Sequence, residues 1–236
     1  MAQAPVNGLQ PNECLPVGSS CFKLPKMELH KKELPPIGTN AYCLTDTERG
    51  EAIVIDAPEG GFTWASSVAK TANCKIMALV LTHGHWDHML DAADFDAAGI
   101  PIMLHEADRE LLERPECMRD YTLPGVDLRK ASISRWLKPG ESIKLLGRSM
   151  EVRPVPGHCP GNILLYCGEG RLAFVGDAIF AGSMGRYDLP GGDLDQLEHS
   201  IRSQIYTLPD DTVLYSGHGP STTVAAEKAS NPYVRP

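Results

Sequence analysis

Residues 82–88 read THGHWDH and follow a run of apolar residues, IMALVL, at positions 76–81. The pattern predicts a buried strand that ends in three histidines and one aspartate. Removing four such side chains from water is costly unless each of them gains a partner. The stretch therefore predicts that something binds these side chains and holds them together.

Three later segments each place one metal-competent side chain beside a glycine-bearing bend that follows an apolar strand. They are VPGHCPG (155–161), LAFVGDAIF (172–180) and LYSGHGPSTT (214–223). Imidazole nitrogen and carboxylate oxygen suit zinc and neighbouring divalent metals, and one such metal takes three or four protein ligands. Seven candidates therefore predict two divalent metal ions, most simply zinc, with iron or manganese as alternatives. The candidates are His83, His85, Asp87, His88, His158, Asp177 and His218.

Simpler interpretations exist for several of these residues. In an extended segment side chains alternate, so His83, His85 and Asp87 would share one side and His88 would point away. Taken alone, Asp177 is typical of a turn or a helix cap, and GHG is typical of a plain turn. For THGHWDH, the simple interpretation requires that four crowded polar groups find partners by chance. The remaining histidines are interpreted as surface or satisfied polar residues: His30, His105 and His199.

Length and charge restrict the classes of function. The 236 residues suffice for one large domain, and 22 Lys and Arg against 30 Asp and Glu give a net charge of −8. This balance makes nucleic acid or an anionic membrane an unexpected main partner. Seven scattered cysteines without a CxxC pair, no signal-like start and no apolar run near ~20 residues favour a soluble, cytoplasmic protein.

The rest of the chain alternates between short apolar strands and helical patterns. Six of the first 36 residues are proline, so residues 1–36 are predicted to be an irregular arm and residues 37–236 the catalytic domain. A long loop at about 114–141 is typical of a segment that borders a site. Strands are predicted at 41–46, 51–57, 75–82, 100–105, 142–147, 150–155, 162–168, 171–177 and 212–217. Helices are predicted at about 62–73, 89–98, 106–113, 193–206 and 221–229.

The motifs THGHWDH, PGHCPG, GDAIF and SGHGP, in that order, resemble those of the metallo-β-lactamase superfamily. The resemblance runs from about residue 37 to the C-terminus. It implies an αββα sandwich, with two sheets face to face and helices outside. The segments 176–193 and 217–234 look most like the short bacterial glyoxalase II-type hydrolases, which cleave acyl-glutathione thioesters.

This resemblance also implies a division of the ligands. His83, His85 and His158 would hold the first metal, Asp87, His88 and His218 the second, and Asp177 would bridge the two. The metals would share a hydroxide that attacks the substrate carbonyl, and Asp87 is a candidate to orient that hydroxide or take its proton. A thiolate leaving group, with a pKa near ~8.5, needs little protonation.

Two departures from the family pattern leave all seven ligands in place. Tyr187 stands where the family usually has Thr, and Cys159 stands where the family's common PGHTPG motif has Thr. Full-length glyoxalase II enzymes also carry a C-terminal helical domain that clamps glutathione, whereas 18 residues follow His218 here. Any recognition of glutathione is therefore expected from loop 114–141 or from Arg186 and Tyr187. Arg186 is equally interpreted as the structural partner of Asp188.

Other functions fit parts of the pattern. A lactonase or another ester hydrolase would use the same ligands. A persulfide dioxygenase of the same fold would use one iron at His83, His158 and Asp177, but the histidine of SGHGP argues against it. A nuclease fits the acidic balance poorly. An interaction module that has lost catalysis would be expected to have a broken ligand set.

Overall fold

The computed structural model describes residues 27–236 as two six-stranded β-sheets packed face to face with helices on the outer faces, together with a small two-stranded sheet formed by Ile179–Phe180 and Ser183–Met184. Residues 1–26 lie outside the described part. The strands are β1 (Met27–Leu34), β2 (Thr39–Asp46), β3 (Glu51–Ile55), β4 (Lys75–Val80), β5 (Ile102–His105), β6 (Arg135–Leu137), β7 (Ser142–Leu145), β8 (Arg148–Pro154), β9 (Ile163–Cys167), β10 (Leu172–Gly176), β11 (Ile179–Phe180), β12 (Ser183–Met184), β13 (Val213–Ser216) and β14 (Thr222–Thr223). The α-helices are α1 (Gly61–Thr71), α2 (Trp86–Met89), α3 (Ala92–Ala97), α4 (Arg109–Glu113), α5 (Leu194–Ser200) and α6 (Val224–Ser230). Short 3-10 turns span Glu106–Asp108, Pro115–Tyr121 and Gly168–Gly170, and a π-helical turn, Ile201–Ile205, continues α5.

The two sheets have mixed strand directions. The first contains β1 to β6 in chain order, antiparallel from β1 to β3 and parallel from β3 to β6. The second has the order β14-β13-β10-β9-β8-β7, in which only β10 and β13 run parallel among the described strands. The parallel pairs β3/β4 and β10/β13 direct their carboxyl ends, and the bends that follow them, to the edge of the sandwich where the site lies.

Alternating side chains divide the apolar residues among the layers. In β3, Ile53 and Ile55 pack between the two sheets, while Ala52 and Val54 pack under the helices on the other face. Both faces of the strand are therefore buried, which explains its continuous apolar run. A third group of apolar side chains, including Val175 of β10, packs beneath α5. This arrangement confirms the predicted αββα sandwich.

Hydrogen bonds join the sheets at the edge that carries the site. Asn40 N donates to Gly217 O at 2.7 Å, and Ile163 N donates to Thr82 O at 2.9 Å. Thr39 and His218 also form an isolated antiparallel bridge. Because these bonds connect segments adjacent to the predicted ligands, they fix the position of one sheet's bends against the other's.

One part of the predicted irregular arm is wrong. Residues 27–34 form β1, which pairs with β2 over its whole length from Met27↔Asp46 to Leu34↔Thr39. Prolines 35 and 36 follow the strand rather than interrupt it, and Leu29 packs against the core between the sheets. The alternating pattern MELHKKEL is therefore an edge strand of the sandwich. The expected irregular character of residues 1–26 stays a prediction.

Smaller differences concern short elements. The loop predicted at 114–141 contains a 3-10 turn at its start and β6 near its end, and the helix predicted at 89–98 is α3, preceded by the separate turn α2. Strands of two or three residues carry too few side chains for a recognisable period. None of the described helices has the length and apolar composition needed to cross a membrane. The five cysteines in the described residues are all free thiols.

Tyr42 provides a test of how the sheets are joined. Its buried hydroxyl donates to Ser216 O at 2.6 Å, which links β2 of the first sheet to β13 of the second. We expect Tyr42→Phe to lower the free energy of unfolding by about 1 kcal/mol, because the ring is kept and one buried hydrogen bond is lost. Urea unfolding measures the change. The control is Tyr233→Phe, since Tyr233 is 60% exposed; an equal loss in both variants would contradict this role of Tyr42.

Candidate metal centre

All seven predicted ligand residues lie at one edge of the sandwich. His83 and His85 occupy the turn after β4, and Asp87 and His88 lie in α2. The other three follow β8, β10 and β13, and each sits in the bend that the sequence predicted. Six of the seven side chains are buried, and His218 is partly buried.

The donor atoms form three groups in which all atoms lie within 4.8 Å of one another. In the first group, His85 Nδ1 is 2.8 Å from His158 Nε2. In another, Asp87 Oδ2 is 3.3 Å from both His88 Nε2 and His218 Nε2. The groups are His83, His85 and His158; Asp87, His88 and His218; and His83, His88 and Asp177.

Asp177 lies between the first two groups. Its Oδ1 atom is 3.3 Å from His88 Nε2, and its Oδ2 atom is 3.4 Å from His218 Nε2. Oδ2 is also 3.7 Å from His158 Nε2. One carboxylate therefore faces histidines of both groups. Gly217 makes this approach possible, because a Cβ atom there would lie 2.0 Å from Asp177 Oδ1.

The expectation of an extended segment through residue 88 is wrong in its second half. His85 has extended backbone, but Trp86–Met89 form a helical turn, with His88 N donating to His85 O at 3.0 Å. In a helical turn, neighbouring side chains no longer point to opposite sides. As a result, Asp87 groups with His88 rather than with His83 and His85.

Four histidines have an outer partner for Nδ1, which leaves Nε2 directed into the cluster. Such outer contacts fix the ring orientation and tautomer of a metal-binding histidine. The partners are a carboxylate for His88, a hydroxyl for His83 and backbone carbonyls for His158 and His218. The contacts are His88 with Asp56 Oδ2 (2.9 Å), His83 with Thr82 Oγ1 (3.1 Å), His158 with Arg186 O (2.7 Å) and His218 with Gly38 O (3.2 Å).

The sequence reasoning missed Asp56, which supports the cluster from behind. Asp56 follows β3 in a left-handed conformation, with φ of 60°, and its Oδ1 accepts a hydrogen bond from Thr82 N at 2.7 Å. Its Oδ2 contacts both Thr82 Oγ1 and His88 Nδ1. The available signal was its place directly after an apolar strand, which it shares with Asp177.

Asp108, also missed, ties two ligand-bearing loops together. Its carboxylate accepts hydrogen bonds from Gly84 N at 2.8 Å and Gly161 N at 2.7 Å. The Cys159 thiol donates to the same carboxylate, with its Sγ 3.2 Å from Asp108 Oδ2. Burial raises the pKa of this thiol well above its usual range. A Cβ atom at Gly161 would lie 2.4 Å from Asp108 Cγ, so this position requires glycine. Cys159 thus supports the loop and lies outside the three donor groups.

Three buried polar atoms of the cluster make no hydrogen bond with any described residue. They are His83 Nε2, His88 Nε2 and Asp177 Oδ1. A buried polar atom without a partner costs about 1–3 kcal/mol, and three such atoms directed at one place are rare in a native protein. The residues therefore fit a cation-binding site, in which the same atoms would serve as ligands.

The protonation states agree with such a site. Burial lowers the pKa of His83 well below its usual range and that of His85 to about 3, so both rings are neutral at pH 7. Burial acts the same way on His88 and His218, but nearby carboxylates outweigh it, raising the pKa of His88 well above its usual range and that of His218 to about 10. The carboxylates beside His88 and His218 therefore favour positive charge within the cluster, as a cation-binding site requires.

Arg186 and Tyr187 lie outside this cluster. The Arg186 guanidinium pairs with Asp188 at 2.8 Å on the surface, and Tyr187 is exposed. The geometry agrees with the interpretation of Arg186 as the partner of Asp188. Arg186 also contributes its carbonyl oxygen to His158, a contact that the sequence gave no reason to expect.

Comparisons with known proteins agree with this geometry. Residues 34–218 match the family described as the metallo-beta-lactamase superfamily. Hydroxyacylglutathione hydrolase GloC of Haemophilus influenzae is 36% identical over 199 residues, which cover 83% of this chain and 92% of that protein.

Two solved structures are similar over nearly their whole length. BLEG-1 B3 metallo-beta-lactamase is 34% identical with a TM-score of 0.79, covering 87% of this chain and 99% of that one. TTHA1623 in a di-iron-bound form is 33% identical with a TM-score of 0.74, and the match covers 87% of this chain and 100% of that one. The family match, these likenesses and the His and Asp cluster at the sandwich edge lead to one conclusion: the chain belongs to the metallo-β-lactamase superfamily.

Proposed function

We propose that the protein is a dinuclear-metal hydrolase that cleaves an acyl thioester, as glyoxalase II-type enzymes do. The observation that carries the proposal is the convergence of seven donor side chains, three of whose buried inward-facing atoms have no hydrogen-bond partner among the described residues. The 36% identity to hydroxyacylglutathione hydrolase GloC supports the thioester class. The substrate would be a small molecule, and the proposed compartment is the cytoplasm.

The proposed division of ligands follows the geometric groups. His83, His85 and His158 would hold one ion, and Asp87, His88 and His218 the other. Asp177 would contact both, since its carboxylate faces histidines of each group. We propose zinc because nitrogen and oxygen donors suit it. Iron or manganese would fit the same donors, and TTHA1623 has been described in a di-iron-bound form.

Two bound divalent ions would supply an activated water near neutral pH and would polarise a carbonyl group. The protein's part is to orient the reactants. Thr39 Oγ1 donates to Asp87 Oδ2 at 2.7 Å and so fixes this buried carboxylate beside His88 and His218. We propose that Asp87 orients the attacking water and accepts its proton.

The surroundings of the cluster favour a leaving group that needs no proton. His85 is the only histidine, and Tyr121 the only hydroxyl-bearing side chain, among the described residues that line the adjacent cavity; no lysine lines it. Of the other proton-bearing side chains there, Tyr121 and Cys117 are exposed and Glu110 is paired with Arg114. Asp108 is engaged by three hydrogen-bond donors. A thiolate, with a conjugate acid of pKa ~8.5, leaves without protonation, whereas an alkoxide does not. This difference favours a thioester over an ordinary ester.

Other carbonyl substrates fit the same donors. A lactone or another ester is the main alternative, and the 34% identity to BLEG-1 adds a β-lactam to the compounds worth testing. A mononuclear iron dioxygenase would leave Asp87, His88 and His218 without a metal. The grouping of these three donors within 4.8 Å argues against that function.

The substrate class can be tested directly. We expect the metal-loaded protein to hydrolyse S-lactoylglutathione or an uncharged acyl thioester with a kcat/KM at least about 100-fold above that for a lactone, an oxyester or a β-lactam. The assays follow thiol release and carboxylate formation. Protein stripped with a chelator is the control and should be inactive until metal returns. Faster lactone or β-lactam turnover, or oxygen uptake with a persulfide, would overturn the thioester proposal.

The bridging role of Asp177 predicts a combined loss. In Asp177→Ala both ions lose a ligand, so we expect the metal content to fall from two ions to at most one and kcat/KM to fall by more than about 100-fold. Elemental analysis and kinetics measure the two effects. Asp127→Ala, at a side chain that is 82% exposed, is the matched control and should change neither. Two ions retained in Asp177→Ala would refute the bridging assignment.

The support given by Asp56 predicts a weaker metal site. Asp56→Asn keeps the size of the side chain but removes the negative charge beside His88, so we expect the affinity for one of the two metals to fall about 10-fold to 100-fold. Competition with a chromophoric chelator measures it. Asp211→Asn alters only a surface pair with Arg171 and should leave the affinity unchanged. Equal affinities in both variants would show that Asp56 has no part in orienting His88.

A further inference from the structure

A cavity of about 310 Å³ opens beside the cluster. It adjoins the candidate metal centre, because His85 lines the cavity and belongs to a donor group. Its lining comes from α2, from the helical turns between residues 106 and 121, and from residues 160, 189 and 190. Its volume is at the lower end of small-molecule sites, which span roughly 300–1,000 Å³. A group attached to a carbonyl at the cluster would therefore extend into this cavity.

The walls are mainly hydrocarbon and aromatic. Trp86 and Met118 are buried, Leu111 and Leu189 are partly buried, and Tyr121 is 49% exposed. Tryptophan and methionine offer large, polarisable surfaces that adapt to hydrocarbon ligands of different shape. The lining therefore favours an apolar group, which loses no hydrogen bonds when it leaves water.

The charged side chains that line the cavity are two carboxylates, Asp108 and Glu110, and both already have partners. The Asp108 carboxylate is occupied by Gly84 N, Gly161 N and the Cys159 thiol. Glu110 forms an ion pair with Arg114. No lysine or arginine is among the described residues that line the cavity. An anionic group bound here would lose its water without gaining a cation, which is costly.

The nearby arginines are engaged elsewhere. Arg109 lies 4.2 Å above the Trp136 ring and pairs with Glu106 at 2.8 Å. Arg119 Nη1 donates to Val126 O at 2.7 Å. Arg186 is paired with Asp188. Glutathione carries two carboxylates, and neither would find a cation on the cavity wall itself.

From this geometry we propose that the cavity binds an uncharged apolar group of the substrate next to the reacting carbonyl. The protein would therefore prefer hydrocarbon-rich thioesters of an uncharged thiol to acyl-glutathiones. The inference rests on the proposed thioester hydrolysis for its reaction, but the binding of an apolar group can be measured without turnover. The apolar group belongs either to the acyl part or to the thiol part, and separate substrate series distinguish the two.

The kinetic test uses the metal-loaded protein and two series of thioesters. In one, acetyl, butanoyl and hexanoyl groups are carried by N-acetylcysteamine; in the other, acetyl thioesters carry alkane thiols of rising length. We expect kcat/KM to rise about fourfold per methylene in one series, until the cavity is filled. Hexanoyl-glutathione should be at least about tenfold poorer than hexanoyl-N-acetylcysteamine, because the cavity lining offers its carboxylates no cation. A flat response in both series, or a preference for the glutathione thioester, would overturn the inference.

A binding measurement separates this inference from the proposed reaction. Alkanoates from butanoate to octanoate resemble the carboxylate product, and calorimetric titration should show the affinity of the metal-loaded protein rising about fourfold per methylene. If no thioester is hydrolysed but this trend holds, the thioester reaction is wrong and the apolar cavity stands. If thioesters are hydrolysed and neither the alkanoates nor the alkane thiols of the second series show such a trend in the titration, the cavity assignment is wrong.

A pair of variants places the apolar group at this cavity. Leu189→Lys introduces a cation into the wall and should remove most of the chain-length dependence while improving hexanoyl-glutathione relative to the uncharged thioester. Leu123→Lys makes the same change at a leucine that is 44% exposed and lines a different groove, and should leave both properties as in the unmodified protein. Identical behaviour of the two variants would contradict binding in the cavity.

Discussion

The structure depends on the burial of five imidazoles and two carboxylates at one edge of a sandwich. Uncompensated, these groups would oppose folding, since polar atoms such as His83 Nε2 and Asp177 Oδ1 have given up water without gaining a hydrogen bond among the described residues. The fold tolerates this cost because apolar strands on both sides hold the bends in place. A cation at the centre would recover the cost through ligand bonds, so folding and metal binding are coupled.

The rigidity of the cluster comes from residues behind the ligands. Asp56 connects the end of β3 to Thr82 and His88, and Asp108 connects the loop of His83 and His85 to the loop of His158. Both carboxylates accept backbone N–H groups, which fixes the chain as well as the side chains. The ligands therefore approach from two sheets while their relative positions are set by buried hydrogen bonds.

Much of the fold was predictable because the strands have a strong period and are bounded by glycine and proline. β2, β3, β4, β8, β9, β10 and β13 lie within two residues of their predicted limits. β1 was missed because the prolines of the first 36 residues were given more weight than the alternation in MELHKKEL. The convergence of the seven side chains was predicted from the motifs and their order, whereas their role as metal ligands stays a prediction.

Other features could not be read from the chain alone. The helical turn that brings Asp87 and His88 together is four residues long, too short for a periodic signal. Asp108 lies in a segment, HEADRE, whose local pattern is that of an ordinary helix start. Its contacts with Gly84 and Gly161 span 24 and 53 residues of chain and exist only in the folded sandwich.

The most direct test of the central claim is a crystal structure of the purified protein with anomalous diffraction measured above and below the absorption edges of zinc, iron and manganese. The account predicts two peaks at the sandwich edge, about 2.0–2.2 Å from the nitrogen and oxygen donors of their groups, with Asp177 contacting both. A single peak, or metal bound away from the 83–88 segment, would contradict it.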